Sequence, residues 1–350
     1  MNHEFFKGRG AQINTANPFN AQEYVTEHIE GLDEEFYVAP KTTIYKETAK
    51  NIVNKISSPD LRFLYSVNPY QGCEHGCIYC YARNSHQYWG FSAGMDFESK
   101  IIVKENAAQL LEKKFLSANW TPCPIMLSGN TDCYQPLERS LKITRSLLKV
   151  FLKFGNPVSI LTKNTLIMRD FDILKDLASE GLVHVAFSIT SLDEKLRRVL
   201  EPRTATAIGK LKAIEKFSTA NIPTAIMNAP IIPGLNADEI PNVIEAASNA
   251  GALGAGYTIV RLNGNIKHIF HDWLNQQFPD RAQKVWNQIC EVHGGSVNDS
   301  EWGRRMKGDG PIAKIINQLF ISARKKHMGD KNLPAFNLTR FRRNGNLNLF

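Results

Sequence analysis

The sequence lacks the long apolar runs that membrane proteins carry. None of its hydrophobic stretches approaches the ~20 residues that a helix needs to cross a bilayer. Residues 1–6 also lack the apolar core of a secretory signal peptide. We therefore expect a cytoplasmic protein with no membrane partner. With 350 residues, 43% of them hydrophobic and 22% charged, the chain suits one or two domains with a sizeable core.

Cysteine is also scarce. Six cysteines in 350 residues are too few for a disulfide scaffold, which excludes the small secreted proteins that depend on such bridges. Three of the six crowd into residues 73–80, and in a reducing compartment such crowding is typical of a metal or cluster site. The others lie apart, at Cys123, Cys133 and Cys290. Isolated cysteines usually serve as small buried hydrophobic side chains.

Acidic residues are fewer than basic ones, 34 against 42, which gives a formal net charge of +8 and a pI near 9.1. Part of the excess lies in residues 324–327 and another part in residues 340–343. A basic surplus is typical of proteins that contact DNA or RNA. A basic enzyme that binds no polyanion would have the same composition, so charge alone leaves both interpretations open.

From about residue 62, strand-like and helix-like segments alternate. The sequence predicts strands over residues 62–67, 124–128, 157–162, 182–189, 223–229 and 256–262. The segments between them have helical periodicity; one apolar stripe is formed by Ile208, Leu211, Ile214 and Phe217. Asn236 and Glu239 resemble a capping box that opens another helix. The alternation predicts an α/β fold with parallel strands, either a partial (β/α)6 TIM-like barrel or an open doubly wound sheet.

The alternation predicts extensions at both ends of the core. We expect an irregular N-terminal extension over residues 1–60 and a core over residues 61–270. A helical extension over residues 271–330 follows, and the Asn-rich, basic residues 331–350 are expected to be a flexible tail. In either α/β architecture, ligands gather where the parallel strands end, so the loops after the strands are the places to look for a site.

The cysteine-rich loop follows the first predicted strand. Cys73, Cys77 and Cys80 can hold three corners of a [4Fe–4S] cluster and leave the fourth iron open. Gly72 and Gly76 would let this short loop turn tightly. The alternative is a structural zinc site with a neighbouring histidine as fourth ligand. Zinc loops usually bring their ligands in two separated pairs, however, and the sequence has no second pair. The spacing therefore favours the cluster.

The pattern Cys73-x3-Cys77-x2-Cys80, with Tyr79 before the last cysteine, resembles the signature of the radical S-adenosylmethionine (SAM) superfamily. The resemblance implies a partial (β/α)6 barrel and two cofactors, a [4Fe–4S] cluster and SAM, whose amino and carboxylate groups chelate the open iron. It implies that one electron from the cluster cleaves SAM to methionine and a 5′-deoxyadenosyl radical, which abstracts hydrogen from a substrate. An electron donor such as flavodoxin or ferredoxin is implied as a partner.

Other segments are similar to the subgroup related to spore photoproduct lyase. They are TDCYQPLE at 131–138, TK at 162–163, EPR at 201–203, APIIPGLN at 229–236 and RRMKG at 304–308. This resemblance covers about residues 60–330 and implies a nucleic-acid substrate that is repaired or modified. A radical SAM enzyme acting on a peptide or small molecule is the alternative. A non-enzymatic cluster- or zinc-bearing module that binds nucleic acid is the third hypothesis.

Residues after the second and third predicted strands could bind the methionyl part of SAM. Lys163 can pair with its carboxylate, as the related lyases imply; the alternative is a surface lysine. Many superfamily members hold the amino group with a Gly-Gly-Glu run, which is missing here. We expect the backbone at Ser128 and Gly129 and the side chains of Thr131 and Asp132 to replace it. Asp132 could instead cap a helix.

Residues after the later strands could bind the rest of SAM. Hydroxyls at Ser188 and Thr190 suit the ribose, or simply stabilise a turn. Two charged residues, Glu201 and Arg203, could act as a pair near SAM or as a structural ion pair. The adenine could pack on side chains after the fifth strand and on the backbone of the cysteine loop, although plain core packing would explain the same residues. Those residues are Pro230, Ile231 and Tyr79.

One departure from the subgroup concerns the hydrogen donor. Spore photoproduct lyase is expected to use a cysteine just after the second strand, and local alignment on Thr131 and Asp132 places Gly129 there. Cys133 is our tentative substitute, if the loop folds so as to present it. This departure counts against spore photoproduct as the substrate. Arg261, at the end of the sixth predicted strand, would suit an anionic substrate or the SAM carboxylate.

Overall fold

The computed structural model describes residues 6–19, 41–61 and 63–344. The parts of our predictions that fall on residues 1–5, 20–40, 62 and 345–350 lie outside the described residues. Across the described ranges, no helix has both the length and the apolar character that crossing a membrane would require.

A seven-stranded sheet forms the centre of the molecule, in the order β10-β9-β8-β7-β6-β3-β2. Six strands are parallel, and β2 lies antiparallel to β3 at one edge. The strands are β2 Val53–Lys55, β3 Tyr65–Val67, β6 Ile125–Leu127, β7 Val158–Thr162, β8 Val183–Ser188, β9 Thr224–Ile231 and β10 Ala255–Ile259. The six parallel strands are the six predicted ones. The predicted α/β class and partial (β/α)6 barrel are thus confirmed.

Helices connect the parallel strands and cover the sheet. They are α1 Met95–Ser99, α2 Ala107–Leu116, α3 Glu138–Leu141, α4 Ile143–Phe154, α5 Phe171–Ser179, α6 Glu194–Leu200, α7 Ala207–Thr219, α8 Ile240–Asn249, α9 Ile266–Gln277, α10 Ala282–Glu291 and α11 Gly310–Met328. Their apolar stripes and the buried strand residues form one large core, in which Leu147, Phe151 and Val185 are fully buried. A second apolar core lies where the strands end and includes Cys77, Leu200 and Trp273.

A three-stranded sheet, which the sequence analysis did not predict, lies beside the main one. It has the order β1-β5-β4, with β1 Thr43–Glu47, β4 Tyr70–Gln71 and β5 Lys100–Lys104. Strand β1 is parallel to β5, and β4 is antiparallel to it. The prediction that the N-terminal extension is irregular is therefore wrong for the parts that form β1 and β2. Both strands gain their order by pairing with core strands rather than from their own apolar pattern.

The predicted capping box is also wrong. The Asn236 side chain donates to Thr190 O at 2.8 Å and Pro230 O at 3.1 Å and accepts from Ile232 N at 2.6 Å. Glu239 accepts from Leu192 N at 2.7 Å instead of closing the helix start. Asn236 therefore ties together the backbone after β8 and β9, which fixes the strand ends that face the candidate site.

The described part of the C-terminal segment packs where the parallel strands begin. Asn337 N donates to Gly181 O at 2.9 Å, and Arg342 N donates to Phe154 O at 2.8 Å. The Arg342 side chain also pairs with Glu180 at 3.1 Å. Residues 331–344 are thus held by backbone and charged contacts, whereas the sequence led us to expect flexibility. The arginines of this segment lie at the opposite end of the sheet from the cysteine loop.

Candidate active site

The cysteine loop lies beyond the carboxyl end of β3, as predicted. Gly72 and Gly76 have φ values of +82° and +69°, which glycine adopts at little cost. Cys73 N donates to Phe97 O at 2.8 Å, and Ile78 N donates to Leu200 O at 3.0 Å. These bonds anchor the loop to helices α1 and α6. Cys73 and Cys77 are buried, and Cys80 is half-buried.

The loop offers three thiols and the His75 ring as possible metal ligands. Three thiolates suit three corners of a cubane, whereas a structural zinc site takes four protein ligands. The His75 ring is buried and engaged elsewhere, with Nδ1 lying 3.3 Å from Asp132 Oδ2 and Nε2 lying 3.3 Å from Asn164 Nδ2.

The protonation of the three thiols points the same way. Burial raises the pKa of the Cys73, Cys77 and Cys80 thiols above the ordinary cysteine value. Without a bound cation, the chain alone would therefore hold all three as neutral thiols. Metal binding requires thiolates and supplies the positive charge that stabilises them. The donor set thus fits an iron–sulfur cluster that is bound with release of protons.

Lys163, which follows β7, lies at the centre of a polar group beside the cysteine loop. Its Nζ lies 2.7 Å from Ser188 Oγ, 3.4 Å from Thr190 Oγ1 and 3.0 Å from Glu201 Oε1. Burial opposes its charge, but the attraction of Glu201 outweighs that effect and raises the Lys163 pKa. The ammonium also lies 5.4 Å from the ring centre of Tyr79, which places it next to the cysteine loop.

Glu201 is the anion of this group. It is fully buried and accepts hydrogen bonds from the hydroxyls of Tyr79 and Thr190. Burial alone would raise its pKa, but Lys163 and Lys210 lower the pKa well below the usual glutamate range. The carboxylate is therefore ionised, and it binds one lysine on each side.

Lys210, on α7, is a site residue that the sequence analysis missed. The predicted stripe of this helix is confirmed at Ile214 and Phe217 and wrong at Ile208, which is exposed; Lys210 is buried instead. Lys210 Nζ donates to Ser188 O at 2.9 Å and lies 3.7 Å from Glu201 Oε2. Burial lowers its pKa to about 8, although Glu201 opposes that shift. Lys210 lies on the same helical face as Ile214 and Phe217, so a charged residue in an otherwise apolar stripe could have identified it from the sequence.

Residues after β6 bind one another and their neighbours. Asp132 accepts from Thr162 Oγ1 at 2.8 Å and from Lys163 N at 2.7 Å. Burial opposes its charge, but His75 and these hydrogen bonds lower the Asp132 pKa. Thr131 Oγ1 donates to the Tyr70 carbonyl at 2.7 Å. The side chains of Thr131 and Asp132 therefore position the loop, which leaves backbone groups nearby as candidate ligands.

The backbone after β6 turns sharply at Ser128, whose φ is +77°. Its hydroxyl accepts from Cys133 N at 2.8 Å, and the Gly129 carbonyl accepts from Tyr81 Oη at 2.5 Å. On the other side, Ser188 Oγ donates to Ala229 O at 3.2 Å, and Thr190 Oγ1 lies 3.0 Å from the same carbonyl. The predicted ribose hydroxyls thus lie beside Lys163. Of the residues predicted to contact adenine, Pro230 and Ile231 are buried at the end of β9.

Glu201 and Arg203 do not form the ion pair that the sequence suggested. Arg203 Nη1 instead lies 3.7 Å from Glu74 Oε1, and Arg203 N donates to His75 O at 3.2 Å. Glu201 and Arg203 are two positions apart in an irregular segment, and their side chains have different neighbours. Glu201 faces the lysines, whereas Arg203 faces the cysteine loop.

Comparison with known proteins identifies the family. The family model described as the radical SAM superfamily matches residues 67–247, which include the cysteine loop and all the strand ends around Lys163. This chain belongs to the radical SAM superfamily. It is a radical SAM enzyme, and the cofactors of that superfamily are a [4Fe–4S] cluster and SAM.

Relatives of this radical SAM enzyme occur in bacteria and archaea. It is 32% identical over 245 residues to the uncharacterized protein Rv2578c of Mycobacterium tuberculosis, covering 69% of this chain and 72% of that protein. It is 28% identical over 251 residues to the uncharacterized protein MJ0683 of Methanocaldococcus jannaschii, covering 71% and 89%.

Solved structures of spore photoproduct lyase have a similar fold. The complex with dinucleoside spore photoproduct superposes with a TM-score of 0.61 at 15% identity, covering 87% of this chain and 86% of that chain. A variant lyase with bound AdoMet and dinucleoside spore photoproduct gives a TM-score of 0.58 at 14% identity, over the same shares of the two chains. The subgroup resemblance of the sequence therefore agrees with the fold of the radical SAM enzyme.

The hydrogen donor predicted for this radical SAM enzyme, Cys133, lies in the large apolar core, and its side chain is fully buried. Its backbone N donates to Ser128 Oγ at 2.8 Å, and its carbonyl accepts from Thr144 Oγ1 of α4 at 2.6 Å. The aligned position, Gly129, leaves little room for a replacement, since a Cβ there would lie 2.9 Å from Ser66 Cβ. The placement of Cys133 gives no support to a donor role, because its thiol is fully buried in the large apolar core.

A basic and aromatic surface adjoins the carboxyl end of β10. Arg261 is half-buried, and within the described part of the radical SAM enzyme its guanidinium has no hydrogen-bond or ion-pair partner. Arg305 pairs with Asp60 at 2.6 Å and stacks 3.6 Å from the ring centre of Trp302, which is exposed. Arg304 pairs with an aspartate of its own loop. Arg261 is thus a cation of this surface that is available to a ligand.

Proposed function

We propose that Cys73, Cys77 and Cys80 bind three irons of a [4Fe–4S] cluster and leave the fourth iron to SAM. The observation that carries this proposal is the cysteine triad beyond the carboxyl end of β3, with the Lys163 ammonium 5.4 Å from the ring centre of Tyr79 in the same loop. When bound, the reduced cluster supplies one electron that splits SAM into methionine and a 5′-deoxyadenosyl radical, which then takes a hydrogen atom from the substrate. An electron donor such as flavodoxin or ferredoxin would supply that electron.

Lys163 is the residue we assign to the methionyl carboxylate. Two lysines and one glutamate leave this group with one excess positive charge, which an incoming carboxylate would neutralise. Ser188 and Thr190 stand beside Lys163 with hydroxyls that suit a ribose. Burial among these groups also excludes water, which strengthens each charged hydrogen bond.

A SAM-cleavage assay tests this proposal. Wild type, Cys77→Ala and the matched control Cys123→Ala would be reconstituted anaerobically with iron and sulfide, reduced and mixed with SAM. We expect wild type and Cys123→Ala to hold about four irons and to form 5′-deoxyadenosine, and Cys77→Ala to do neither. Absence of 5′-deoxyadenosine with fully loaded wild type would overturn the enzymatic proposal.

We propose nucleic acid as the substrate of this radical chemistry. Arg261 lies within the ring of strand ends, and a guanidinium without a protein partner suits a phosphate oxygen. The exposed ring of Trp302, which stacks on Arg305, offers a face on which a base can stack. A peptide or small-molecule substrate is the competing possibility.

The salt dependence of binding separates these substrate classes. Affinity for short DNA and RNA oligonucleotides would be measured from low to high salt for wild type, Arg261→Ala and Arg340→Ala, whose arginine is exposed at the far end of the sheet. Affinity falls as salt rises, and the magnitude of this slope on logarithmic axes reports the number of phosphate contacts. We expect that magnitude to decrease by about one for Arg261→Ala and to stay unchanged for Arg340→Ala. Salt-independent or undetectable binding would favour a peptide or small molecule.

A further inference from the structure

Residues 6–19, here called the N-terminal strap, lie along the segment that follows the cysteine loop. Ile13 O accepts from Met95 N at 3.3 Å, and Thr15 N donates to Ser92 Oγ at 2.7 Å. Asn17 Nδ2 donates to Gln87 O at 2.9 Å. The strap is therefore docked by regular polar contacts over most of its length.

A fully buried carboxylate connects the strap to the cysteine loop. Glu98 accepts from Gly10 N at 2.9 Å, from Ala11 N at 2.8 Å and from Arg83 Nη2 at 2.5 Å. Arg83 is fully buried as well, and its Nε donates to Cys77 O at 3.0 Å. The Cys77 carbonyl is thus linked, through the ion pair of Arg83 and Glu98, to the backbone amides of two strap residues, Gly10 and Ala11.

The strap and the loop also meet backbone to backbone. A Cβ at Gly10 would lie 1.7 Å from Gly76 O, so only glycine fits while both segments keep their places. The next residue, Ala11, is fully buried in the same apolar core as Cys77. The strap therefore forms part of the wall around the cysteine loop.

We propose that the N-terminal strap is a cover for the iron–sulfur cluster, with Gly10 and Glu98 as its positioning residues. This inference rests on the proposed cluster at Cys73, Cys77 and Cys80. The docked strap limits the access of water and oxygen from the Gly76 side, and it restrains the loop in the geometry that the cluster needs. Because coupling is reciprocal, cluster binding must in turn hold the strap in place.

Substitution of Gly10 tests the cover. Gly10→Ala puts a methyl group against the Gly76 carbonyl, whereas the control Gly254→Ala meets only Ala225 Cβ at 3.9 Å, an ordinary contact. Neither glycine has a positive φ, so the two variants differ in space rather than in backbone strain. After reconstitution, the visible absorbance would be followed once air is admitted. We expect Gly10→Ala to lose the cluster at least about fivefold faster than wild type. Equal rates in both variants would overturn the proposal.

Hydrogen exchange tests the same coupling in wild type, and it applies even if Gly10→Ala fails to fold. The amides of Gly10 and Ala11 would be compared in protein without cluster and in protein loaded with cluster. Loading should slow their exchange by at least about fivefold, while amides of the C-terminal segment near Arg342 stay unchanged. Equal exchange of the strap amides would contradict the inference. Wild type that never takes up iron would instead contradict the proposed function.

Discussion

Two buried charge clusters in this protein look alike and differ in balance. Glu138 lies in one, where it accepts from the Tyr70 hydroxyl and pairs with Arg169 at 2.6 Å. Glu201 lies in the other, where it accepts from the Tyr79 hydroxyl and pairs with Lys163 at 3.0 Å. Both carboxylates are fully buried. The two clusters differ in the number of charges that surround each carboxylate.

The first cluster has no excess of positive charge. Two buried carboxylates, on Glu138 and Asp170, face the guanidiniums of Arg169 and Arg145 at 2.6–3.0 Å. Arg145 also pairs with the exposed Asp172 at 2.6 Å. The second cluster has Lys163 and Lys210 for the one carboxylate of Glu201, and lies beside the cysteine loop. A buried cation without its own anion is costly unless a ligand supplies one. The comparison teaches that charge balance, rather than burial, separates structural from binding groups here.

The largest expected effect comes from breaking the first cluster. Glu138→Gln keeps the shape but removes one of the two buried carboxylate charges that Arg169 faces, so we expect the free energy of unfolding to fall by about 3 kcal/mol. Urea denaturation would measure this fall, with Glu112→Gln, from an exposed pair, as the control. SAM affinity of the folded protein should not change. A loss of SAM binding without a loss of stability would contradict the assignment.

The next effect is a pH dependence that comes from Lys210. Its folded-state pKa of about 8 lies below the ordinary 10.5, so the unfolded chain binds more protons between these pH values. The free energy of unfolding that Lys210 contributes therefore rises with pH across this window, by about 2–3 kcal/mol. The difference between wild type and Lys210→Met in urea denaturation should grow accordingly. Lys212→Met, on the exposed face of the same helix, should leave a constant difference.

Lys163→Met should act on the ligand more than on the fold. Loss of one charged hydrogen bond to the SAM carboxylate would weaken SAM binding about 10–100-fold. Anaerobic titration calorimetry with reconstituted protein would measure it, beside Lys175→Met, whose lysine is exposed on α5. Glu201 keeps Lys210 as a partner in this variant, so stability should change less than in Glu138→Gln. Unchanged SAM affinity would remove Lys163 from the site.

Arg203→Ala should have the smallest effect. Its guanidinium is 35% exposed and lies 3.7 Å from Glu74, so solvent weakens the pair. We expect the free energy of unfolding to change by less than about 1 kcal/mol. A change of several kcal/mol in urea denaturation would show that Arg203 belongs with the buried clusters.

The sequence predicts much of this fold because its signals are local. Alternation of apolar strands and helical stripes locates the six parallel strands, and cysteine spacing locates the loop. The small sheet gave no such signal, since β1 is short and mostly exposed. Lys210 was missed because Glu201, whose carboxylate stabilises the buried ammonium, lies in another segment of the sequence. Contacts between distant segments, such as those of Asn236 and the strap, have no pattern in the local sequence.

The docked segments 6–19 and 331–344 make folding depend on contacts between residues that are distant in sequence. Asn265 Nδ2 binds Thr15 Oγ1 across 250 positions, and Arg342 Nη2 binds Leu152 O across 190. Closing such long loops costs chain entropy before the contacts that stabilise the closed loop can form. Topologies with many non-local contacts therefore fold slowly. The central strands, which pair with neighbours in sequence, can form first. Gly10 and its strap would then reach the cysteine loop late, which leaves time for iron and sulfide to enter before the wall around them closes.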